Sequence, residues 1–268
     1  MSGEHWYTIW GEAAHTQPTK SKTAKNPTRP TTIRDAKALK LLPSVSGILK
    51  VINNPALERW KFSEIVRACY ENPPDIMEDL ESRESLDDYT KRILDMAFNV
   101  ATDAADLGTR IHANIEAVLK KEVMLYEDEF TLALNAVKAM DDLGIDVVES
   151  EFCTTCPEYG YAGTTDVAFT KGEVCGILDF KSKKTKEGEP IIPSFGHAAQ
   201  IAAYHVSYWT KGDLIKDNSV GYNVYISTTE PGRVEVVKYD ADTLRREFEM
   251  FTNALAIWRH KNNYDPRQ

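Results

Sequence analysis

ESEFCTTCPEYGYAGTTDVAFTKGEVCGILDFK, residues Glu149–Lys181, holds the runs from which the fold can be read. Asp146–Cys153 alternates as a strand does, and Pro157–Gly160 has the composition of a turn. Tyr161–Thr170 reads as a second strand, Lys171-Gly172-Glu173 as a tight hairpin turn, and Val174–Lys181 as a third strand. Side chains in a strand alternate faces with a period of two. Asp179 and Lys181 therefore share a side and Phe180 faces away, while Asp166 opposes Thr165 and Val167. If the second and third strands pair, Asp166 meets Asp179 with Lys181 beside them. Two carboxylates and an ammonium so placed suit a hard cation such as Mg²⁺, which takes oxygen ligands and keeps several waters. A lysine there can hold or help deprotonate a water. An incidental salt bridge on a solvated hairpin face would give the same pattern.

Upstream, Gly108-Thr-Arg-Ile-His112-Ala-Asn-Ile-Glu116 lies in a helical pattern, Asp103–Lys121. Ile111, Ile115, Val118 and Leu119 mark its buried stripe, and His112 and Glu116 flank it at i, i+4. Downstream, Gln200 and Tyr204 share one stripe of a helix expected over Pro193–Thr210. The order GTxxHxxxE, GxxD, DxK, QxxxY resembles the RecB-type branch of the PD-(D/E)XK nuclease superfamily. The stretch LPSVSGIL (Leu42–Leu49), followed by ERWK, is similar to phage exonucleases and to the mitochondrial genome-maintenance exonuclease. The resemblance spans about Leu42 to Tyr204.

That resemblance implies an α/β fold with a restriction-endonuclease-like core, a mixed central β-sheet flanked by α-helices. It implies a Mg²⁺- or Mn²⁺-dependent DNA exonuclease acting on single- or double-stranded DNA with a free end. Asp166, Asp179 and the Phe180 carbonyl would bind the metal, His112 would join or support them, and Lys181 would position the attacking water. A third carboxylate is expected from the first strand, with Glu149 preferred over Glu151. Gln200 and Tyr204 would line the cleft and touch DNA or brace Lys181. Beyond the resemblance, Ser44 can cap a helix start or meet a phosphate. Lys183, with Lys184 and Lys186, forms a basic loop suited to backbone phosphate, or simply exposed.

The chain has 268 residues, 42% of them apolar, and a net charge of −9, which argues against a broad non-specific nucleic-acid surface. The charge is uneven: residues 1–50 carry eight Lys/Arg against three acids, whereas residues 71–88 carry eight acids and one base. No run of about eighteen apolar residues is present, so no membrane partner is expected. Met1–Trp10 lacks the layout of a signal or transit peptide, which points to the cytoplasm. Cys69, Cys153, Cys156 and Cys175 read as reduced structural thiols. Some RecB-type nucleases carry a four-cysteine iron–sulfur cluster, three of whose cysteines follow the QxxxY motif. No cysteine follows Tyr204, so no such cluster is expected. Cys153-x-x-Cys156 alone is a weak zinc motif.

The expected organisation is a basic extension over 1–41 and one nuclease domain over 42–268. Within that domain, 42–145 is helical and 146–268 holds the sheet and further helices. Helices are expected over Leu57–Tyr70, Asp88–Val100 and Tyr126–Leu143. A strand around Val220–Ile226 should form a hairpin with Arg233–Tyr239. A last helix, capped by Asp240, should close the core.

Overall fold

A five-stranded mixed sheet forms the centre of the computed structural model, which describes residues 5–19, 25–74 and 84–268. Its strands are β5 (Asp146–Cys156), β6 (Tyr161–Lys171), β7 (Val174–Lys183), β8 (Ser219–Ser227) and β9 (Val234–Tyr239), in that spatial order. β5, β6 and β7 are antiparallel neighbours, β7 and β8 run parallel, and β8 and β9 are antiparallel. The β7-to-β8 connection carries α6 (His197–His205) and a π-helical turn, Val206–Thr210.

Helices cover both faces. On one, α4 (Leu86–Lys120) and α5 (Phe130–Asp141) pack Ile111, Ile115, Ala133 and Met140 against Val167, Phe169, Leu178 and Val224. On the other, α2 (Val45–Leu49), α6 and α7 (Ala241–Asn262) pack against Tyr161, Ala168 and Ile177. Asp240 caps α7, its carboxylate accepting the Thr243 N–H at 2.8 Å. Among the described residues, no helix is long and apolar enough to cross a membrane.

Two expectations are corrected. The helices expected over Asp88–Val100 and Asp103–Lys121 are one helix, α4, about 52 Å long at 1.5 Å per residue. Ala101-Thr102 holds neither glycine nor proline, so nothing there breaks the intrahelical ladder. The C-terminal half of α4 lies on the sheet. Its N-terminal half packs Ile93 and Ala97 against Ala68 of α3 (Pro55–Glu71), forming a small separate core.

The described part of 1–41 is also built into the core rather than appended to it. β1 (Trp6–Tyr7) pairs with β4 (Leu42–Pro43) across the expected boundary. Trp6 is fully buried, edge-on to Trp258 at 6.0 Å. The Tyr264 hydroxyl donates to the carbonyls of Ala36, in α1 (Ile33–Leu39), and Leu41. The expected basic loop Thr16–Thr32 contains a short hairpin, β2 (Thr16–Pro18) with β3 (Thr28–Pro30). Residues 20–24, and 75–83 of the acidic run, lie outside the described residues.

Candidate metal centre

The β6–β7 ladder ends at the Val167–Leu178 pair. Asp166 and Asp179 would be the next pair, but the strands part there. β6 continues along β5 to the Tyr161–Cys156 pair, and β7 continues along β8 to Lys183–Ser227. The sheet forks, and two acids stand at the fork.

Asp166 spans the gap. Its Oδ2 accepts the Phe180 N–H at 2.7 Å and lies 3.5 Å from His112 Nδ1. A strand residue's N–H and C=O leave by the same edge, so the Phe180 carbonyl also opens into the fork. The Phe180 ring is buried, with His112 edge-on at 6.3 Å. α4 supplies His112 because Ile111 and Ile115 anchor its neighbouring stripe to the sheet.

Asp179, 2% exposed, takes Lys181 Nζ at 2.8 Å on Oδ1, and Asn223 Nδ2 at 3.0 Å on Oδ2. Asn223, on β8, accepts from the Tyr239 hydroxyl at 2.9 Å and is itself fully buried. Burial pushes the Asp179 carboxyl pKa up, and Lys181 opposes the rise. Burial pulls the Lys181 pKa down, but Asp179 and Asp166 outweigh it and leave it raised.

The third carboxylate is Glu151, not Glu149. Ser150 pairs with Val167 and Phe152 with Thr165, which leaves Glu151 opposite Asp166. Donor atoms of His112, Glu151 and Asp166 lie within 4.8 Å of one another. Glu149 instead accepts from the Tyr208 hydroxyl at 3.1 Å, and the Phe152 ring packs 4.7 Å from the same tyrosine. Glu149 and Phe152 thus share a side although three residues apart, so the period of two fails between them. Glu151 itself has φ 48°, a conformation that costs a non-glycine residue about 1–3 kcal/mol and turns its side chain towards His112. Replacing Glu151 with Gln should weaken Mn²⁺ binding about tenfold or more in calorimetric titration, and Glu149→Gln should leave it unchanged.

Burial, then Asp166, Glu116 and Asp179, push the Glu151 carboxyl up to about 8. An unfolded chain would release this proton near the ordinary carboxyl value. The folded state therefore loses stability as pH rises from that value through about 8. A divalent cation competes with this proton. Mn²⁺ should raise the melting temperature more at pH 8 than at pH 6, and an equal rise would count against Glu151 as a ligand.

The donors suit a divalent cation: one imidazole, carboxylates in excess of nearby cations, and a backbone carbonyl. Asp179, held by Lys181 and Asn223, borders this group rather than joining its tight cluster. Glu116 is paired with Lys120 and is not part of the tight cluster, although its charge reaches Glu151. Among the described residues no cysteine enters such a cluster, and all four are free thiols.

The expected DNA contacts fare unevenly. Ser44 is 3% exposed and its Oγ accepts the Gly47 N–H at 3.0 Å, so it caps α2 and is closed to phosphate. Tyr204 is 4% exposed, packed over Gly163 with Gln200 Nε2 donating to its hydroxyl at 3.2 Å. It is a packing residue, not a lining one. A Cβ at Gly163 would lie 2.7 Å from Tyr204 Cε1. Gly163→Ala should therefore cost about 1–3 kcal/mol in urea unfolding. Lys183 Nζ donates to the Ile192 carbonyl, at the edge of the site. Gln200 is half-buried and borders an open groove with Ser46, Lys50, Phe195 and His197.

Sequence reading missed Asn223 and His197. Asn223 is the single amide in the apolar strand SVGYNVYIS, which was its only signal. His197 Nδ1 lies 2.8 Å from the hydroxyl of Tyr225, the register partner of Lys181.

No family model matches the chain, and no curated protein matches it. Among solved structures, that of SSO0001 is similar over 75% of this chain and 87% of its own, at 14% identity and a TM-score of 0.30.

Proposed function

We propose that the chain is a metal-dependent DNA nuclease of the PD-(D/E)XK type, its forked sheet being a restriction-endonuclease-like core. The observation that carries the reading is the convergence of His112, Glu151 and Asp166 at the fork, with the Asp179–Lys181 pair alongside. These residues come from α4 and three different strands, an arrangement that packing alone does not require.

His112, Glu151, Asp166 and the Phe180 carbonyl would hold Mg²⁺ or Mn²⁺, with Asp179 at the border. When bound, the ion supplies charge neutralisation at the phosphate and a more acidic water. The protein's own part is positioning. Asn223 and Lys181 fix Asp179, and Asp179 fixes the ammonium. The remaining Lys181 N–H groups point a water and stabilise charge on the phosphate oxygens. The buried Phe180 ring limits where His112 can turn.

The exonuclease reading is favoured by the LPSVSGIL and GTRIHANIE stretches. Purified protein with Mg²⁺ or Mn²⁺ should shorten end-labelled linear DNA progressively and leave a closed single-stranded circle intact. Cutting of the circle would make it an endonuclease, and no cutting of either would sink the proposal.

A further inference from the structure

Outside the metal centre, the most ligand-like surface is a groove that starts beside it. His197, tied to Tyr225, and Gln200 form one end with Phe195 and Lys50. The groove runs to Asn53 and Glu58 at the start of α3, and the same two residues open a second cleft along that helix. The two clefts adjoin at Asn53 and Glu58.

The second cleft follows one face of α3. Arg59, Phe62, Val66, Arg67 and Tyr70 fall on that face at i, i+3, i+7, i+8 and i+11. Ala68, on the opposite side, packs on α4. Phe62 is 64% exposed, Tyr70 86%, and Phe195, at the near end, 55%. Rings left this open bury little apolar area. Arg59 and Lys50 make no ion pair among the described residues, and Arg67 lies 4.0 Å from Glu64 with most of its side chain in solvent. Guanidinium groups alternating with open aromatic faces suit a polyanion that offers flat rings. Unstacked bases provide those faces, and a duplex hides them in its stack. An apolar protein partner would leave the arginines desolvated without a counter-charge.

We propose that single-stranded DNA lies along this groove, backbone against Lys50 and Arg59 and bases against Phe195, Phe62 and Tyr70, leading one strand end to the fork. The assignment rests on the nuclease reading above and names its substrate.

The test uses the full chain carrying Lys181→Ala, in Mn²⁺, with a fluorescent 20-nucleotide oligo-dT and a blunt duplex of equal length, read by anisotropy. The single strand should bind at least tenfold tighter than the duplex. Adding Phe62→Ala and Tyr70→Ala should weaken it about tenfold or more. Adding Arg59→Ala and Arg67→Ala should make binding less salt-dependent, by about 0.7 in log–log slope per lost phosphate contact. All four side chains lie outside the core, so folding is retained. In the otherwise native chain, the aromatic pair of substitutions should leave hydrolysis of bis(4-nitrophenyl) phosphate unchanged while slowing DNA degradation. A parent chain that cleaves DNA yet binds duplex as well as single strand, or variants that bind like the parent, overturns the groove and leaves the nuclease standing. Selective strand binding lost in the variants, from a parent inert on both substrates, supports the groove and overturns the nuclease.

Discussion

Lys181→Ala should reduce DNA hydrolysis by about 10²–10⁴-fold, the range that one positioned proton-handling group contributes. The fold should survive. Lys181 is half-buried at the mouth of the fork, and its Nζ is held by Asp179 rather than packed in the core. Its removal leaves Asp179 buried without its cation, and Asn223 alone stays bonded to it. The Asp179 pKa should rise further, so the carboxyl takes up a proton rather than unfolding the site. Circular dichroism of the variant should match the parent, and Mn²⁺ binding should persist, because His112, Glu151 and Asp166 remain. Unchanged cleavage would remove Lys181 from the chemistry.

Asp166→Asn should act on the metal instead. Asparagine keeps an oxygen for the Phe180 N–H, so the buried donor at the fork stays satisfied. What goes is the charge. Mn²⁺ binding should fall by about two orders of magnitude and cleavage with it. Stability without metal should move the other way. After burial, Asp166 contributes most to raising the Glu151 pKa, and its neutralisation lets Glu151 ionise at lower cost. The variant should melt above the parent in chelator at pH 8 and lose that advantage near pH 4, where Glu151 is protonated in either chain. A site whose removal stabilises the protein is built for binding rather than for folding.

Much of this was legible in the sequence. Period-two alternation and the Lys171-Gly172-Glu173 turn locate β6 and β7, and their pairing brings Asp166 and Asp179 to the point where the ladder ends. A regular strand puts Glu149 and Glu151 on one face, and Glu149 is preferred only because a Glu-Ser pair leads this strand in the exonuclease pattern it resembles. The positive φ at Glu151 breaks that regularity, and nothing in ESEF signals it. The hydrogen bonds of Asn223 cross from β8 to β7 and β9, joining residues 44 and 16 positions away, which no local pattern reports. Ser44 and Tyr204 lay in the right stretches, but burial decides between capping or packing and DNA contact. Burial is a property of the assembled core. α4 was split because its buried stripe changes partner midway, from α3 to the sheet, while its backbone runs on.

The central claim is that a helix and a forked sheet gather one divalent cation. Anomalous diffraction from crystals grown in Mn²⁺ tests it most directly. The account predicts a peak bounded by His112, Glu151 and Asp166, within coordination distance of the Phe180 carbonyl, and lost in Asp166→Asn. Ordered density at the fork with no anomalous signal there at saturating Mn²⁺ would contradict it.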